Sequence, residues 1–174
     1  TYNQTGGAAR AACRLQDALN EAGVDCSMRV LVKGGDATKV DCRRTKREMF
    51  ANRIFLPYVA KKLNKLQKSQ NMNLRSLAIC GAGLVEEINN SDADVVNLHW
   101  VNNEMFSIRD FARITKPVVW TLHDMWAFCG AEHVCDDDVE ARWRVGYTKE
   151  NCPATDSGLD LDRWTWERKR KYWK

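Results

Sequence analysis

The sequence predicts an α/β domain built on a parallel sheet, and two short apolar runs with a helical segment between them carry that prediction. The runs 94–98 and 117–122 are nearly continuous in apolar and β-branched residues, as strands buried on both faces of a parallel sheet are. Between them, 107–114 places Ile108, Phe111 and Ala112 at helical spacing. The three segments predict one β-α-β unit within a Rossmann-like open sheet that helices flank.

The chain before this unit predicts a helix and a strand. Alanines and leucines at helical spacing continue from Gly6-Gly7 to Ala22, with Thr5 as N-cap and Gly23 as the stop. The run 24–33 alternates apolar and basic residues, which is typical of a strand. No strand precedes the two glycines, so we expect the chain to begin just after its first strand.

The middle of the chain is predicted in four segments. They are an extended basic loop at 40–47, a helix at 48–68 with a kink or break at Pro57, a short strand at 76–80 and a helix at 81–89.

The last third of the chain differs from the rest in composition and periodicity. The segment 129–158 combines acidic, basic and aromatic residues without periodicity, so we expect a long irregular loop of the kind that is usually functional. The run 159–174 predicts a helix whose tryptophans pack on the domain; a helix lying on a membrane surface is the alternative. The whole chain, 1–174, is therefore interpreted as a single domain.

Charge and cysteine content narrow the function classes. The net charge is +4, and the basic residues cluster at 43–47, 61–68 and 163–174. Such clusters indicate solvated helix faces, or attraction to anionic lipid or phosphorylated substrates; no nucleic-acid-binding motif accompanies them.

Four of the seven cysteines, at positions 13, 26, 42 and 80, are interpreted as small buried apolar residues in a reducing compartment. The other three lack a close Cys-x-x-Cys pair, which disfavours zinc.

Both strands of the β-α-β unit are followed by a histidine and by polar or aromatic residues. His99-Trp100 leads to Asn102 after the first strand, and His123-Asp124 leads to Trp126 after the second. Ligands of open α/β sheets bind at the carboxyl ends of the strands. The glycines at 6 and 7 precede a helix N-terminus, which suits an anion, although a tight turn without a ligand is equally compatible.

Three ordered motifs give the chain a family resemblance. They are Thr-Gly-Gly-Ala-Ala-Arg at 5–10, Asp-Val-Val-Asn-Leu-His-Trp at 94–100, and Lys-Pro-Val-Val-Trp-Thr-Leu-His-Asp-Met-Trp-Ala-Phe at 116–128. With the run 160–171, they resemble the N-terminal, acceptor-side domain of family 4 glycosyltransferases of the exopolysaccharide and lipopolysaccharide type. In one respect the chain departs from the family: Glu132 replaces a cysteine of the long loop and only Cys152-Pro153 remains of its end, which makes a disulfide or metal there less expected.

The resemblance implies one half of a GT-B fold and a retaining transfer of a hexose-like sugar without metal or other cofactor. The partners it implies are a nucleotide sugar, a saccharide or lipid-linked acceptor, and a C-terminal donor-binding domain that this chain lacks. This fragment alone is therefore expected to be inactive. The implied location is cytoplasmic, with peripheral contact at the anionic inner face of the plasma membrane, and nucleic acid is not a partner.

The resemblance also implies roles for particular residues. It places His123 and Asp124 at the reaction centre as catalytic residues, Gly6 and Gly7 against the donor, and His99, Trp100 and Asn102 near the acceptor. Five further candidates for substrate binding are Arg10, Trp126, Glu132, His133 and Arg142. Each has a structural alternative: a hydrogen bond at a strand end, a surface ion pair or core packing.

Two other function classes stay open. One is a non-catalytic α/β domain that binds carbohydrate or phosphate. The other is a metal-dependent hydrolase using His99, His123, Asp124 and His133, which is disfavoured because no compact motif such as His-x-x-x-His occurs.

Overall fold

The computed structural model describes residues 6–35, 38–42, 54–71 and 73–173. Its helices are α1 (Gly7–Glu21), α2 (Leu56–Asn64), α3 (Val85–Asn89), α4 (Ile108–Phe111), α5 (Arg142–Val145) and α6 (Leu161–Tyr172). Its strands are β1 (Met28–Arg29), β2 (Val40–Asp41), β3 (Gln67–Lys68), β4 (Val96–His99), β5 (Val118–Thr121) and β6 (Ser157–Gly158). The predicted N-cap Thr5, the basic residues at 43–47 and the predicted helix start at 48–53 lie outside the described residues.

The predicted β-α-β unit is confirmed. β4 and β5 pair in parallel, in a register that runs from Val96 opposite Val118 to His99 opposite Thr121. α4 begins after Ser107 with a reciprocal cap, in which the Asp110 N–H donates to Ser107 Oγ and the Ser107 N–H donates to the Asp110 carboxylate. The helix ends at Phe111, earlier than predicted.

The expectation that both strands are buried on both faces is wrong. Leu98 is buried and packs with Val101, Met105 and Phe106, but Val118 and Val119 of β5 are exposed. The apolar residues of β5 therefore do not show that both faces of the strand are covered, since the described elements leave Val118 and Val119 open.

The six strands pair two by two. β1 pairs with β2 in parallel, and β3 pairs with β6 antiparallel. Within the described ranges these pairs and β4–β5 do not join into one continuous sheet. The architecture that the structure shows is a mixed α/β fold with two parallel strand pairs.

Glycine conformation and long-range pairing set the bounds of the first two helices. α1 stops where predicted, because Gly23 has a φ of +84°. α2 ends at Asn64, not at Lys68 as predicted, because Gln67 and Lys68 leave it to pair with β6. Pro57 lies in the first turn of α2, where its missing N–H costs nothing, and the two residues before α2, Ile54 and Phe55, are π-helical.

The predicted strand 76–80 is not a strand. Its backbone groups bond to other partners: the carbonyl groups of Leu77 and Ala78 accept from the Arg168 guanidinium, at 2.6 and 2.9 Å, and the Ser76 N–H donates to the Ala131 carbonyl. The helix predicted from Gly81 begins only at Val85.

The C-terminal helix is confirmed and closes an aromatic core. α6 starts at an Asp160 cap, and Trp173 beyond its end packs against Phe111, Trp120 and Trp126. Among the helices of the described residues, none combines the length and the apolar character needed to cross a bilayer.

A buried lysine fastens α6 to the chain that follows β5. Lys169 is 4% exposed, and its ammonium group donates to the carbonyl oxygens of Trp126, Cys129 and Gly130. It also lies 3.7 Å from the centre of the Trp126 ring. Burial lowers the pKa of Lys169 to about 7.

Candidate functional site

Two of the three histidines of the chain pair at the carboxyl ends of β4 and β5, and the third, His133, contacts Asp124, which follows β5. His99 ends β4 and His123 follows β5, and because the two strands pair in register, His99 Nδ1 lies 2.9 Å from His123 Nε2. One imidazole N–H donates to the lone pair of the other. Burial, and then the neighbouring His123, lower the pKa of His99, which favours its neutral form.

Asp124 is the centre of a second network of contacts. Its Oδ2 accepts from Trp100 Nε1 at 2.9 Å and lies 2.6 Å from His133 Nδ1, while its Oδ1 accepts from the Trp126 N–H. Burial alone would raise the pKa of Asp124, but these hydrogen bonds, led by that from His133, hold it below its ordinary value. Asp124 is therefore a fixed carboxylate that holds Trp100 and His133 in place.

His133 continues the network inward to a serine. Its Nε2 lies 2.8 Å from Ser76 Oγ, so Ser76, His133 and Asp124 contact one another in the order of a hydrolase triad. His133 is only 4% exposed, and Ser76 lines neither of the two cavities beside the network. Ser76 and His133 thus hold Asp124 in place from inside the fold.

A groove of about 890 Å³ opens beside the histidine pair. Its polar end is formed by the start of α1 and by the residues after β4 and β5. Its length is lined by apolar side chains of α1, β1 and β4, such as Leu15, Met28 and Val96. The size is that of a small-molecule site, and charged residues such as Arg29, Asp41 and Glu87 also line the groove.

The backbone at this polar end is strained. Trp100, Asn103 and Glu104 have φ angles of +23°, +59° and +56°, in the region that L-residues rarely adopt. Glu104 is buried and its carboxylate accepts from the Cys80 N–H, which holds the turn from inside. Strained turns of this kind concentrate at functional sites, so the observation supports a ligand site here.

The structure brings most of the predicted site residues together at the polar end of the groove. Six of them line it: Gly6, Gly7, His99, Trp100, His123 and Asp124.

Three predicted residues lie elsewhere. Asn102 and Trp126 are buried and line a second cavity of about 10 Å³, which has room for about one water molecule. Trp126 is a core residue whose Nε1 donates to the Ser76 carbonyl, so it does not offer a ring face to a sugar in the groove. Arg10 is exposed on α1 and is not among the residues that line the groove.

The candidates of the long loop face its interior. The Arg142 guanidinium pairs with Asp160 at 2.6 Å and stacks on the Tyr147 ring. Glu132 is 7% exposed and accepts from the Tyr147 hydroxyl at 2.6 Å. Arg142 and Glu132 therefore shape the loop, and His133 supports Asp124, where direct contacts to an acceptor were predicted.

Replacing Glu132 with Gln is expected to change how stability depends on pH. Burial, followed by the nearby Asp162, raises the pKa of Glu132 to about 7, so the folded protein binds more protons than the unfolded chain between about pH 4.5 and 7. The free energy of unfolding should therefore fall by about 3 kcal/mol as pH rises through this window. Glu132→Gln should remove most of that fall, as urea unfolding at pH 5 and pH 8 measures.

The matched control for this prediction is Glu140→Gln, since Glu140 is an exposed acidic residue of the same loop. This variant should keep the pH dependence of the wild-type chain. An unchanged pH dependence in Glu132→Gln would contradict the prediction.

Neither Ser76 nor Asn103 was predicted from the sequence as a residue of the site. Ser76 lies in a segment interpreted as a plain strand, and Asn103 gave no signal apart from its place after a predicted strand. No local pattern distinguishes a serine that meets a histidine 57 residues away.

Neither a metal-binding arrangement nor a known relative identifies the ligand of the site. Among the described residues, no group of three or more His, Cys, Asp or Glu side chains is arranged to hold a metal ion. A scan of protein-family models, a search of curated proteins and a search of solved structures each found no match for this chain.

Proposed function

We propose that the chain is the acceptor-binding half of a retaining glycosyltransferase, which transfers a sugar from a nucleotide-sugar donor to a cell-surface polysaccharide or lipid-linked acceptor. The observation that carries the proposal is the convergence of the glycine turn, the histidine pair and Trp100 at one end of one groove. These are the residues that the family resemblance names.

The chemistry of the groove end suits the two requirements of glycosyl transfer. The leaving nucleoside diphosphate needs hydrogen-bond donors, which the N–H groups in the first turn of α1 supply with the positive end of the helix dipole. The acceptor hydroxyl needs a hydrogen-bond acceptor, which an imidazole nitrogen of the exposed His123 supplies. Trp100 lines the same groove, and an indole ring face suits a sugar ring.

The two predicted catalytic residues, His123 and Asp124, have different roles in this proposal. His123 is exposed in the groove and is the group that contacts the reacting hydroxyl. Both oxygens of Asp124 already accept hydrogen bonds from the protein, so its contribution is to fix Trp100 and His133. The histidine pair and the fixed carboxylate then form one preorganised surface.

The fold that accompanies this function is one Rossmann-like half of a GT-B enzyme, and a second, donor-binding domain completes the cleft. The parallel pairs β1–β2 and β4–β5 support this proposal. The resemblance also suggests work on the cytoplasmic side of the membrane, where the exposed lysines of α2 attract anionic headgroups.

A transfer assay on the complete protein tests the proposal. Nucleotide sugars are offered with oligosaccharide and lipid-linked acceptors, and the 174-residue chain is assayed beside the complete protein. The proposal predicts sugar transfer by the complete protein and none by this chain alone. If the complete protein neither binds nor transfers any nucleotide sugar, the proposal fails.

A non-catalytic carbohydrate- or phosphate-binding domain is the second candidate. The full engagement of Asp124 by protein donors favours it, because a carboxylate held in this way positions its neighbours and abstracts no proton. Binding of a saccharide at the groove without any transfer by the complete protein would support this candidate.

A further inference from the structure

The long loop brings two cysteines together. Cys129 Sγ and Cys135 Sγ lie 2.7 Å apart, six residues from each other along the chain. Cys129 is fully buried and Cys135 is partly exposed. The pair therefore combines one partly exposed cysteine with one buried cysteine whose sulfur lies beside it.

The backbone holds this pair in place without help from the sulfurs. The Met125 carbonyl accepts from the Cys129 N–H at 2.9 Å, and the Met125 N–H donates to the His133 carbonyl at 3.0 Å. The Cys135 N–H lies 3.4 Å from Met125 Sδ. Because Met125 binds both sides of the loop, contacts of the fold bring the two cysteines together.

The surroundings of the pair differ from those of the last cysteine in the same region. The Cys152 thiol meets the carboxylate of Asp160, which is itself held by Arg142. Cys152 is therefore a suitable control for the reactivity of a partly buried thiol that has no cysteine beside it.

We propose that Cys129 and Cys135 form a reversible disulfide when the chain meets a small-molecule disulfide such as oxidised glutathione. The Cys135 thiolate attacks one glutathione sulfur, breaks the glutathione disulfide and releases one glutathione thiolate, which takes up the proton that Cys135 lost. Cys129 then attacks the Cys135 sulfur and expels the second glutathione, which takes the Cys129 proton. Two protein thiols are oxidised, and one glutathione disulfide is reduced to two thiols.

The bond would close the part of the loop that supports the site. Glu132 and His133 lie between the two cysteines, and His133 holds Asp124. The disulfide thus fixes covalently the segment that positions this carboxylate. Its formation does not depend on the proposed function.

The local chemistry also sets the pH at which the exchange proceeds. The hydrogen bond to Cys129, and then burial, raise the pKa of the Cys135 thiol. Since the thiolate is the attacking species, the exchange should be slow at neutral pH and faster in alkaline buffer.

Peptide mapping after oxidation tests the inference. The chain is incubated with oxidised glutathione at pH 7 and pH 8.5, its remaining thiols are blocked, and it is digested with trypsin. The expected product is the peptide 114–142, which contains Cys129 and Cys135 and no other cysteine, unblocked and lighter by two hydrogen atoms than its reduced form. Its yield should be greater at pH 8.5, and the oxidised chain should unfold about 5 °C higher.

Two variants separate the disulfide from general thiol reactivity. Cys135→Ser should leave Cys129 reduced, because the buried thiol loses its partly exposed partner, whereas Cys152→Ser should form the bond as the wild type does. If both cysteines of peptide 114–142 stay reduced, or if either is linked to a cysteine outside this peptide, the inference is overturned.

Discussion

Replacing His123 with Ala in the complete protein is expected to lower kcat/KM for sugar transfer by about 100-fold or more. The imidazole is exposed in the groove and lies 2.9 Å from His99, so its loss removes the group that we propose contacts the acceptor hydroxyl, together with the hydrogen bond to His99. Because the side chain is exposed, the free energy of unfolding should change by less than about 0.5 kcal/mol. Steady-state kinetics and urea unfolding of the same preparation measure both effects.

The matched control for His123→Ala is Val119→Thr. Val119 is an exposed residue of β5 that lines neither cavity beside the site, so this variant should transfer sugar at the wild-type rate. If His123→Ala keeps full activity in a complete protein that transfers sugar, then His123 does not contact the reacting groups and the assignment of the reaction centre is wrong.

Replacing Lys169 with Met is expected to destabilise the folded chain by about 3 kcal/mol. The variant keeps a long apolar stem between Trp126 and Trp173 but leaves the carbonyl oxygens of Trp126, Cys129 and Gly130 without their donor. Each of these carbonyls lies in the segment that follows His123 and Asp124, so the segment should loosen before the rest of the fold. Urea unfolding gives the total loss, and amide exchange of 126–130 locates it.

The same lysine should give stability a second dependence on pH. The folded pKa of about 7 lies below the ordinary value for lysine, so the unfolded chain binds more protons between about pH 7 and 10. The free energy of unfolding of the wild type should therefore rise across this window, and Lys169→Met should lose the rise. The cost of the substitution is then larger at pH 9 than at pH 7.

Lys171→Met is the control for the lysine prediction, because Lys171 lies on the same helix and is exposed. It should unfold within about 0.5 kcal/mol of the wild type at either pH. A Lys169→Met chain as stable as this control would show that the three carbonyl contacts contribute nothing to the fold.

The sequence predicted those parts of the fold that local pattern determines. The two apolar runs and the capped helix between them defined β4, α4 and β5, because strand and helix periodicity are properties of a few consecutive residues. The same reasoning placed His99 and His123 at one edge, since parallel strands in register end together. It failed at 76–80, where the Arg168 guanidinium takes the carbonyl groups that a neighbouring strand would have used.

The candidate site shows the same division. Its exposed half, with the glycine turn and the histidine pair, follows from motifs at strand and helix ends. The buried contacts that support the site could not be predicted from motifs, because they depend on the path of a long aperiodic loop. They are the contacts of Ser76 with His133, of Arg142 with Asp160 and of Glu132 with Tyr147. Trp126 illustrates the consequence: the side chain was a candidate for stacking on a sugar, but Lys169 and the aromatic core enclose it.

The most direct test of the account is to observe the three histidines while a ligand is added. The imidazole resonances of the 174-residue chain are assigned with single His→Gln variants, and nucleotide sugars and neutral oligosaccharides are titrated in turn. The account predicts saturable shifts of the His99 and His123 resonances with at least one of these ligands, and a smaller shift for the buried His133. A ligand that binds without moving His99 or His123, or the absence of saturable shifts with every ligand offered, would contradict a saccharide site at the polar end of the groove.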